Sequence, residues 1–301
     1  MRDKITSTDS YRLGSKASLG ADDHAQEIPY DERTYFESFY EATSHIMSKE
    51  CRTIGHISNP EARFHYNAME NAIIRAILRR EPPPRGVTVE AWRYLQQRRG
   101  LRLLDIGSGT GHWLDFFRDV FLVAEAVGVE ITDQMFNYLT KHYKDEPSIK
   151  IIQADIAHEE SLVEHIGGPV DYISAIGVMF HIVDDRKWQS ALGNLASALK
   201  PEGLLFVGGD FGSETHNVQF HKTDSFKSWS EHNKSDVKKE VRFNKRVRSL
   251  EDWIYTALNC NLAPVDLVRS DNDSTLLTPE NDLLVLKHAE TNKINNNFNG
   301  I

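Results

Sequence analysis

Cysteine is almost absent from this chain, with Cys51 and Cys260 the only two in 301 residues. Two cannot build a disulfide framework, and without a CxxC pair or a histidine cluster there is no structural zinc pattern. No apolar run approaches the roughly eighteen residues of a membrane span, and the opening MRDKITSTDSYRLGSK lacks the apolar block of a secretion signal. The expectation is a cytoplasmic, reduced setting with no membrane partner. Positive charge is short as well: 35 Lys and Arg stand against 44 Asp and Glu, a net charge of −9. That balance argues against a non-specific grip on a phosphate backbone, so nucleic acid is not expected as a partner.

What remains is a composition with 40% hydrophobic residues, enough for one large α/β core with an appended cap. Residues 1–27 are polar and aperiodic, and 291–301 are Asn-rich, so both ends are expected to be disordered. Residues 28–85 carry apolar side chains at helical spacing, such as Phe36, Phe39 and Tyr40, then Ala72, Ile73, Ala76 and Ile77. They read as a helical cap of two or three helices, broken at Gly55 and Asn59-Pro60 and ended by Pro82-Pro83-Pro84. Within 86–290, short apolar runs alternate with helical patterns at 113–119, 132–144, 159–166 and 186–199. Such alternation implies crossover units and a mostly parallel sheet with helices on both faces. Residues 212–248 are long, polar and spotted with His216, Phe220, His221, Phe226 and Trp229, which reads as a lid insertion over a pocket. Ser249 with Asp252 then caps a helix to about Asn259, and two late strands near 264–269 and 282–288 complete seven.

The densest signal is Leu103 to Trp113, LLDIGSGTGHW, where a strand carrying Asp105 runs into Gly107, Gly109 and Gly111. Glycines there permit positive φ and let a ligand lie against backbone amides, and a helix opening near His112 points its unpaired N–H groups at the same place. The dinucleotide fingerprint would need glycine where His112 stands, and the phosphate loop would need Gly-Lys-Ser/Thr. Instead, D-x-G-x-G-x-G resembles the first motif of the class I S-adenosylmethionine (SAM) dependent methyltransferases. The resemblance continues through AEAVGVE ending in Glu130, IKIIQADI ending in Asp155-Ile156, DYISAIGVMFHI over 171–182, and ALKPEGLLF over 198–206.

The resemblance implies a Rossmann-like α/β fold, a seven-stranded mostly parallel sheet with an antiparallel final strand, preceded here by an N-terminal helical lid. It implies SAM as cofactor, held by Asp105, Gly107, Ser108, Gly109 and Gly111, by Glu130 on the ribose hydroxyls with Ile131 beside it, by Asp155 on the adenine amino group with Ile156 at the ring, and by Gly177. Taken singly, Glu130 and Asp155 read equally well as solvated strand-end carboxylates or helix caps.

Transfer from a sulfonium is an in-line displacement of an already activated methyl group, so the protein mainly positions the acceptor. A hydroxyl or protonated amine would also need a general base. His181, just past the fourth strand, is the first candidate, and Asp210 at the end of the fifth strand is the second. Each has a structural alternative: His181 as packing for the cofactor loop, Asp210 as a turn cap. His216 and His221 are further candidates, and Tyr35 and Tyr40 could close the pocket. Ser174-Ala175-Ile176-Gly177 stands where base-methylating enzymes carry Asn/Asp-Pro-Pro-Tyr/Phe, two cysteines are too few for arsenic chemistry, and no clustered carboxylates suggest a metal. The basic run KKEVRFNKRVR, 238–248, reads as a solvated strand face or as a docking face for an acidic substrate, carrier protein or RNA. The expected activity is methylation of a small molecule at oxygen or nitrogen. Methylation of a protein or carrier-bound substrate, and a non-catalytic SAM-binding subunit, stay open beside it; a nicotinamide oxidoreductase is disfavoured by His112.

Overall fold

A computed structural model describes residues 31–43, 59–158, 162–209, 211–218, 245–268 and 282–289. Asp210, His221, both expected tails, Cys51 and most of the expected insertion lie outside these residues.

The first described element is α1 (Glu32–Thr43), followed by α2 (Asn59–Arg80) and α3 (Val89–Arg98). Pro60 falls in the first turn of α2, where its missing N–H costs nothing, and the Thr88 hydroxyl caps α3 by accepting from the Ala91 amide at 3.2 Å. The core then alternates β1 (Arg102–Ile106), α4 (His112–Phe121), β2 (Glu125–Glu130), α5 (Asp133–His142), β3 (Ile149–Gln153), α6 (Leu162–His165), β4 (Val170–Ile176), α7 (Asp185–Ala198) and β5 (Leu199–Gly209). After it come the short strands β6 (Phe211–Gly212), β7 (His216–Val218) and β8 (Lys245–Ser249), then α8 (Leu250–Asn259), β9 (Leu262–Val268) and β10 (Asp282–His288). The capping expected at α8 is present, with the Ser249 hydroxyl accepting from the Asp252 amide at 3.0 Å.

The main sheet has seven strands in the order β3-β2-β1-β4-β5-β10-β9. Pairings among β1 to β5 are parallel, and β10 runs antiparallel to both its neighbours. Both faces are covered, which the pleat makes visible. Leu104, Ile173, Leu205 and Leu286 lie side by side across four strands and pack toward Trp188, Leu192 and Trp253. One residue earlier, Leu103, Tyr172 and Leu204 face the opposite layer with Ile73, Ile77 and Phe117. This near-continuous apolar reading is what a parallel sheet buried on two sides requires. Chain order reverses between β1 and β4, and an open sheet of this kind parts its crossover loops there to leave a crevice at the strand ends.

The strands β6, β8 and β7 form a separate small sheet, β8 parallel to β6 and antiparallel to β7. For the described part of the basic run, 245–248, it corrects the expectation of a solvated strand face at two positions: Lys245 and Arg248 are 1% and 2% exposed. Arg248 lies 4.2 Å over the Trp188 ring, donates to Asp185 Oδ1 and to the Ile182 carbonyl, and so ties β8 to the start of α7. Among the described residues, no helix is long and apolar enough to cross a membrane, and no three His, Cys, Asp or Glu side chains converge as metal ligands.

Candidate active site

The crevice at the carboxyl ends of β1, β2 and β4 opens into a cleft with about 1210 Å³ of empty space, open solvent included. Its floor is Gly107, Ser108, Gly109 and Thr110. Gly107 has φ 63°, and a Cβ placed on it would meet Val178 Cγ2 at 2.5 Å, so only glycine lets the loop pass under the residue following Gly177. Gly111 caps α4 at φ 92° with no side-chain hydrogen bond, which leaves the first-turn amides of α4 open.

Glu130 ends β2 on the cleft wall, 4% exposed. Its Oε2 accepts from the Gly109 amide at 3.0 Å and its Oε1 from the Ile131 amide at 3.0 Å, with the Thr132 amide and hydroxyl slightly further out. Burial pushes its carboxyl above the ordinary value and these donors pull against it. Asp105, under the loop, is fully buried, and neither of its oxygens has a hydrogen-bond partner of good geometry. Burial raises it to about 7, with the Ser108 and Ser174 hydroxyls close enough only to temper the rise and Glu130 adding to it.

A second, adjoining cleft, with about 520 Å³ of empty space, open solvent included, is lined by residues that include Ile131, Ala154, Asp155 and Ile156. Asp155 accepts from the Ala157 amide at 2.9 Å and meets His158 Nδ1 at 2.7 Å. Gly177, at φ 75°, donates its amide to the Gly208 carbonyl at 3.0 Å and lines the main cleft. His181 ends the single 3-10 turn Met179–His181 after β4 and borders both cavities, with its ring edge-on to Phe36 at 4.8 Å. The structure therefore gathers Gly107, Ser108, Gly109, Glu130, Ile131, Asp155, Ile156, Gly177 and His181 around one connected space, with Asp105 and Gly111 immediately behind the loop. His216 stays apart, exposed on β7, its Nδ1 2.9 Å from the Glu214 carbonyl.

The donor set fits an adenosyl cofactor with a cationic sulfonium. Open loop amides and a glycine cradle accept a close-lying ligand, the Glu130 carboxylate suits vicinal hydroxyls, the Ile131/Ile156 slot suits a planar base, and the buried Asp105 charge favours a cation above it.

The far wall is aromatic. Tyr35, Phe36, Phe39 and Tyr40 of α1, His65 and Tyr66 of α2, and Phe180 face the cleft, and so does Lys245 of β8. α1 is held across the opening by Lys187 to Glu32 at 3.2 Å and Arg33 to Asp133 at 2.5 Å. His112, next to the loop, stacks on Tyr66 at 3.7 Å and pairs with Glu70 at 2.9 Å. Sequence reasoning found Tyr35 and Tyr40, read Lys245 only as part of a solvated or docking face, and missed Phe180 and Tyr66. The alternation of Lys245 with Val247 was the available signal, and without knowing what covers β8 it does not say which face is inside.

Residues 103–203 match the family model described as a methyltransferase domain. Juvenile hormone acid O-methyltransferase of Drosophila melanogaster is 38% identical over 122 residues, which cover 38% of this chain and 40% of that protein; the chain thus aligns with well under half of its curated relative. Among solved structures, the CcbJ methyltransferase of Streptomyces caelestis is similar with a TM-score of 0.51 at 14% identity, over 87% of this chain and all of the other (100%). Magnesium protoporphyrin IX methyltransferase of Synechocystis, solved with bound SAH, gives a TM-score of 0.50 at 11% identity, covering 86% of this chain and 96% of that one. With its glycine turn, its acidic strand ends and its 3-2-1-4-5-10-9 sheet all in place, the chain carries a methyltransferase domain over residues 103–203 and has the fold of the class I, Rossmann-like S-adenosylmethionine-dependent methyltransferases.

Proposed function

We propose that this protein transfers the methyl group of SAM to an oxygen of a small, largely apolar acceptor. The observation that carries this reading is the junction of two unlike surfaces in one cleft: backbone amides with the Glu130 carboxylate on one side, and the α1/α2 aromatic wall on the other. When bound, the cofactor supplies an electrophilic methyl carbon with a neutral thioether as leaving group. Gly107 and Gly109 keep the floor low enough for close approach, and Glu130 and Ile131 orient the adenosyl end. Tyr35, Phe36 and Phe39 exclude water from the transfer point, which strengthens the attraction between an anionic nucleophile and a cationic donor. The name of the curated relative, an acid O-methyltransferase, favours oxygen over nitrogen. That His181 borders both cavities supports a role for it as base toward a hydroxyl acceptor, and its edge-on packing against Phe36 gives it a second role in fixing α1.

Two measurements test this. Calorimetry with SAM and S-adenosylhomocysteine (SAH) should give one site per chain. A panel of apolar oxygen and nitrogen nucleophiles should then yield acceptor-dependent SAH for at least one oxygen class. Binding without turnover of any small acceptor would leave a SAM-binding subunit or a macromolecular substrate, and no binding would remove the reading altogether.

A further inference from the structure

Of the three glycines in the turn after β1, Gly107 and Gly109 line the main cleft, but Gly111 lines neither cavity. The space beside its α-carbon is taken by Tyr143, just past the end of α5. A Cβ on Gly111 would run into the phenol oxygen and come within 2.9 Å of two ring carbons. The Tyr143 side chain belongs to the buried layer of Phe116, Leu139 and Ile149 and is 5% exposed, so it has no room to swing aside. Its hydroxyl donates to the Gly111 carbonyl at 3.0 Å, across 32 positions of sequence. Burial, and after it the Asp115 carboxylate, raises the phenol above its ordinary value, so it keeps the proton that it donates. The turn is thus fastened at three points. The Val129 carbonyl accepts the Gly107 amide at 2.8 Å, Glu130 accepts the Gly109 amide at 3.0 Å, and Tyr143 holds the far end. Thr110, which faces the cleft, lies between the second point and the third.

We propose that Tyr143 is a positioning residue for the cofactor, and that the third glycine is bare in order to receive its phenol rather than the ligand. This deepens, and rests on, the reading of the cleft as a SAM site. The Gly111 carbonyl and the His112 N–H belong to one planar peptide unit, and in a trans peptide they point in opposite directions. A carbonyl drawn back to Tyr143 therefore sends the His112 N–H away from α5, and His112 borders the main cleft. The same carbonyl accepts the Asp115 amide at 3.0 Å and so closes the first turn of α4. By fixing that one oxygen, Tyr143 sets the direction of the amides at the start of α4 from outside the cleft. The bond also polarises the peptide, which makes its N–H a stronger donor.

The experiment uses the full chain and reads SAH affinity by calorimetry beside the kinetic constants. Tyr143→Phe removes one oxygen and leaves the Gly111 carbonyl its bond from Asp115, so the fold is retained. The SAH dissociation constant and the KM for SAM should rise about 3- to 10-fold, the range for a neutral hydrogen bond, while kcat and the acceptor KM stay at the wild-type values. Tyr172→Phe makes the same change in the same buried layer, at a residue that lines neither cavity, and should leave SAH affinity as it was. Gly111→Ala pushes the phenol off its acceptor and should weaken SAH binding at least as much as Tyr143→Phe. Because both changes undo one contact, the double variant should bind SAH no worse than Gly111→Ala alone. Unchanged SAH affinity in Tyr143→Phe, an equal loss in Tyr172→Phe, or losses that multiply in the double variant overturn the proposal. If Gly111→Ala does not fold, the comparison of the two tyrosine variants decides. Failure of the wild-type chain to bind SAH would instead sink the methyl-transfer reading, so the two failures are distinguishable.

Discussion

Gly109 donates its backbone N–H to Glu130 Oε2 at 3.0 Å, across 21 positions of sequence. The contact joins the glycine turn after β1 to the acidic end of β2, so the side chain suited to the ribose hydroxyls also fixes the loop on which the rest of the cofactor would lie. Glu130→Gln keeps the shape but turns one acceptor oxygen into a donor that faces amide N–H groups. We expect SAH affinity to fall about 10- to 100-fold by calorimetry, with a stability loss of about 1–3 kcal/mol in urea unfolding from the amide left unpaired. Equal affinity in the variant would mean that Glu130 only shapes the loop.

Gly107 allows a cleaner separation of backbone strain from crowding. It and Gly100 have nearly the same φ, 63° and 62°, but a Cβ on Gly100 meets nothing within 4 Å while one on Gly107 strikes Val178 at 2.5 Å. Gly100→Ala should cost about 1–2 kcal/mol, the penalty of a left-handed alanine, and leave SAH binding intact. Gly107→Ala should add about 1–3 kcal/mol of overpacking and weaken SAH binding as the loop is displaced. Similar losses at both positions would show that the loop yields at no cost.

These two residues also show which parts of the molecule are legible from the chain alone. The glycine turn, the Glu130 and Asp155 strand ends and the Ser249 cap are local devices, set by residues within a few positions of one another, so sequence reading locates them. The small β6–β8–β7 sheet is different. Its strands are short and β7 and β8 pair across a long separation, so the basic residues of β8 look solvated until Trp188 and Phe180 are seen covering Arg248 and Lys245. The apolar stripe of α1 is visible in sequence, but that it closes a cleft depends on Glu32 and Arg33 reaching α7 and α5.

Asp105 gives the apoprotein a defined pH response. Its carboxyl ionises near 3.8 in an unfolded chain and near about 7 when buried. Between those values the native state holds a proton that the unfolded state has released, so this group's contribution makes stability fall with rising pH, by about 1.4 kcal/mol per unit, and level off above about 7. Asp105→Asn should remove that part of the slope in urea unfolding measured across the window. A cation bound over the loop favours the ionised form, so SAM uptake below about pH 7 should release a proton, and affinity should rise with pH to that point and then flatten. Parallel stability profiles of wild type and variant would show that Asp105 is not the group responsible.

If the acceptor is a hydroxyl, His181 has a proton to remove. His181→Asn should then cost about 10²- to 10⁴-fold in kcat, the range expected when a general base is lost. A loss below about tenfold would show that His181 serves only to pack against Phe36.

Asp185 ties β8, which contributes to the cleft wall, to the start of α7. It takes two hydrogen bonds from Arg246, at 2.8 and 2.9 Å, and two from Arg248, at 3.1 and 3.0 Å, and is itself half exposed at 53%. Burial draws the Arg248 guanidinium down to about 10, with Asp185 pulling the other way. Asp185→Asn would leave that guanidinium inside the protein with carbonyls as its nearest acceptors. The cost should be about 2 kcal/mol, below the 3–5 kcal/mol of breaking a fully buried pair because Asp185 keeps water on one side. Since Arg248 and Lys245 share β8 and Lys245 lines the cleft, loosening that strand disturbs the wall opposite the glycine turn, so the acceptor KM should rise while SAH affinity is unchanged. Arg248→Lys should behave like Asp185→Asn, because a single ammonium cannot reach the Asp185 carboxylate and the Ile182 carbonyl together. An acceptor KM unchanged in both variants would show that β8 is held in place without this pairing.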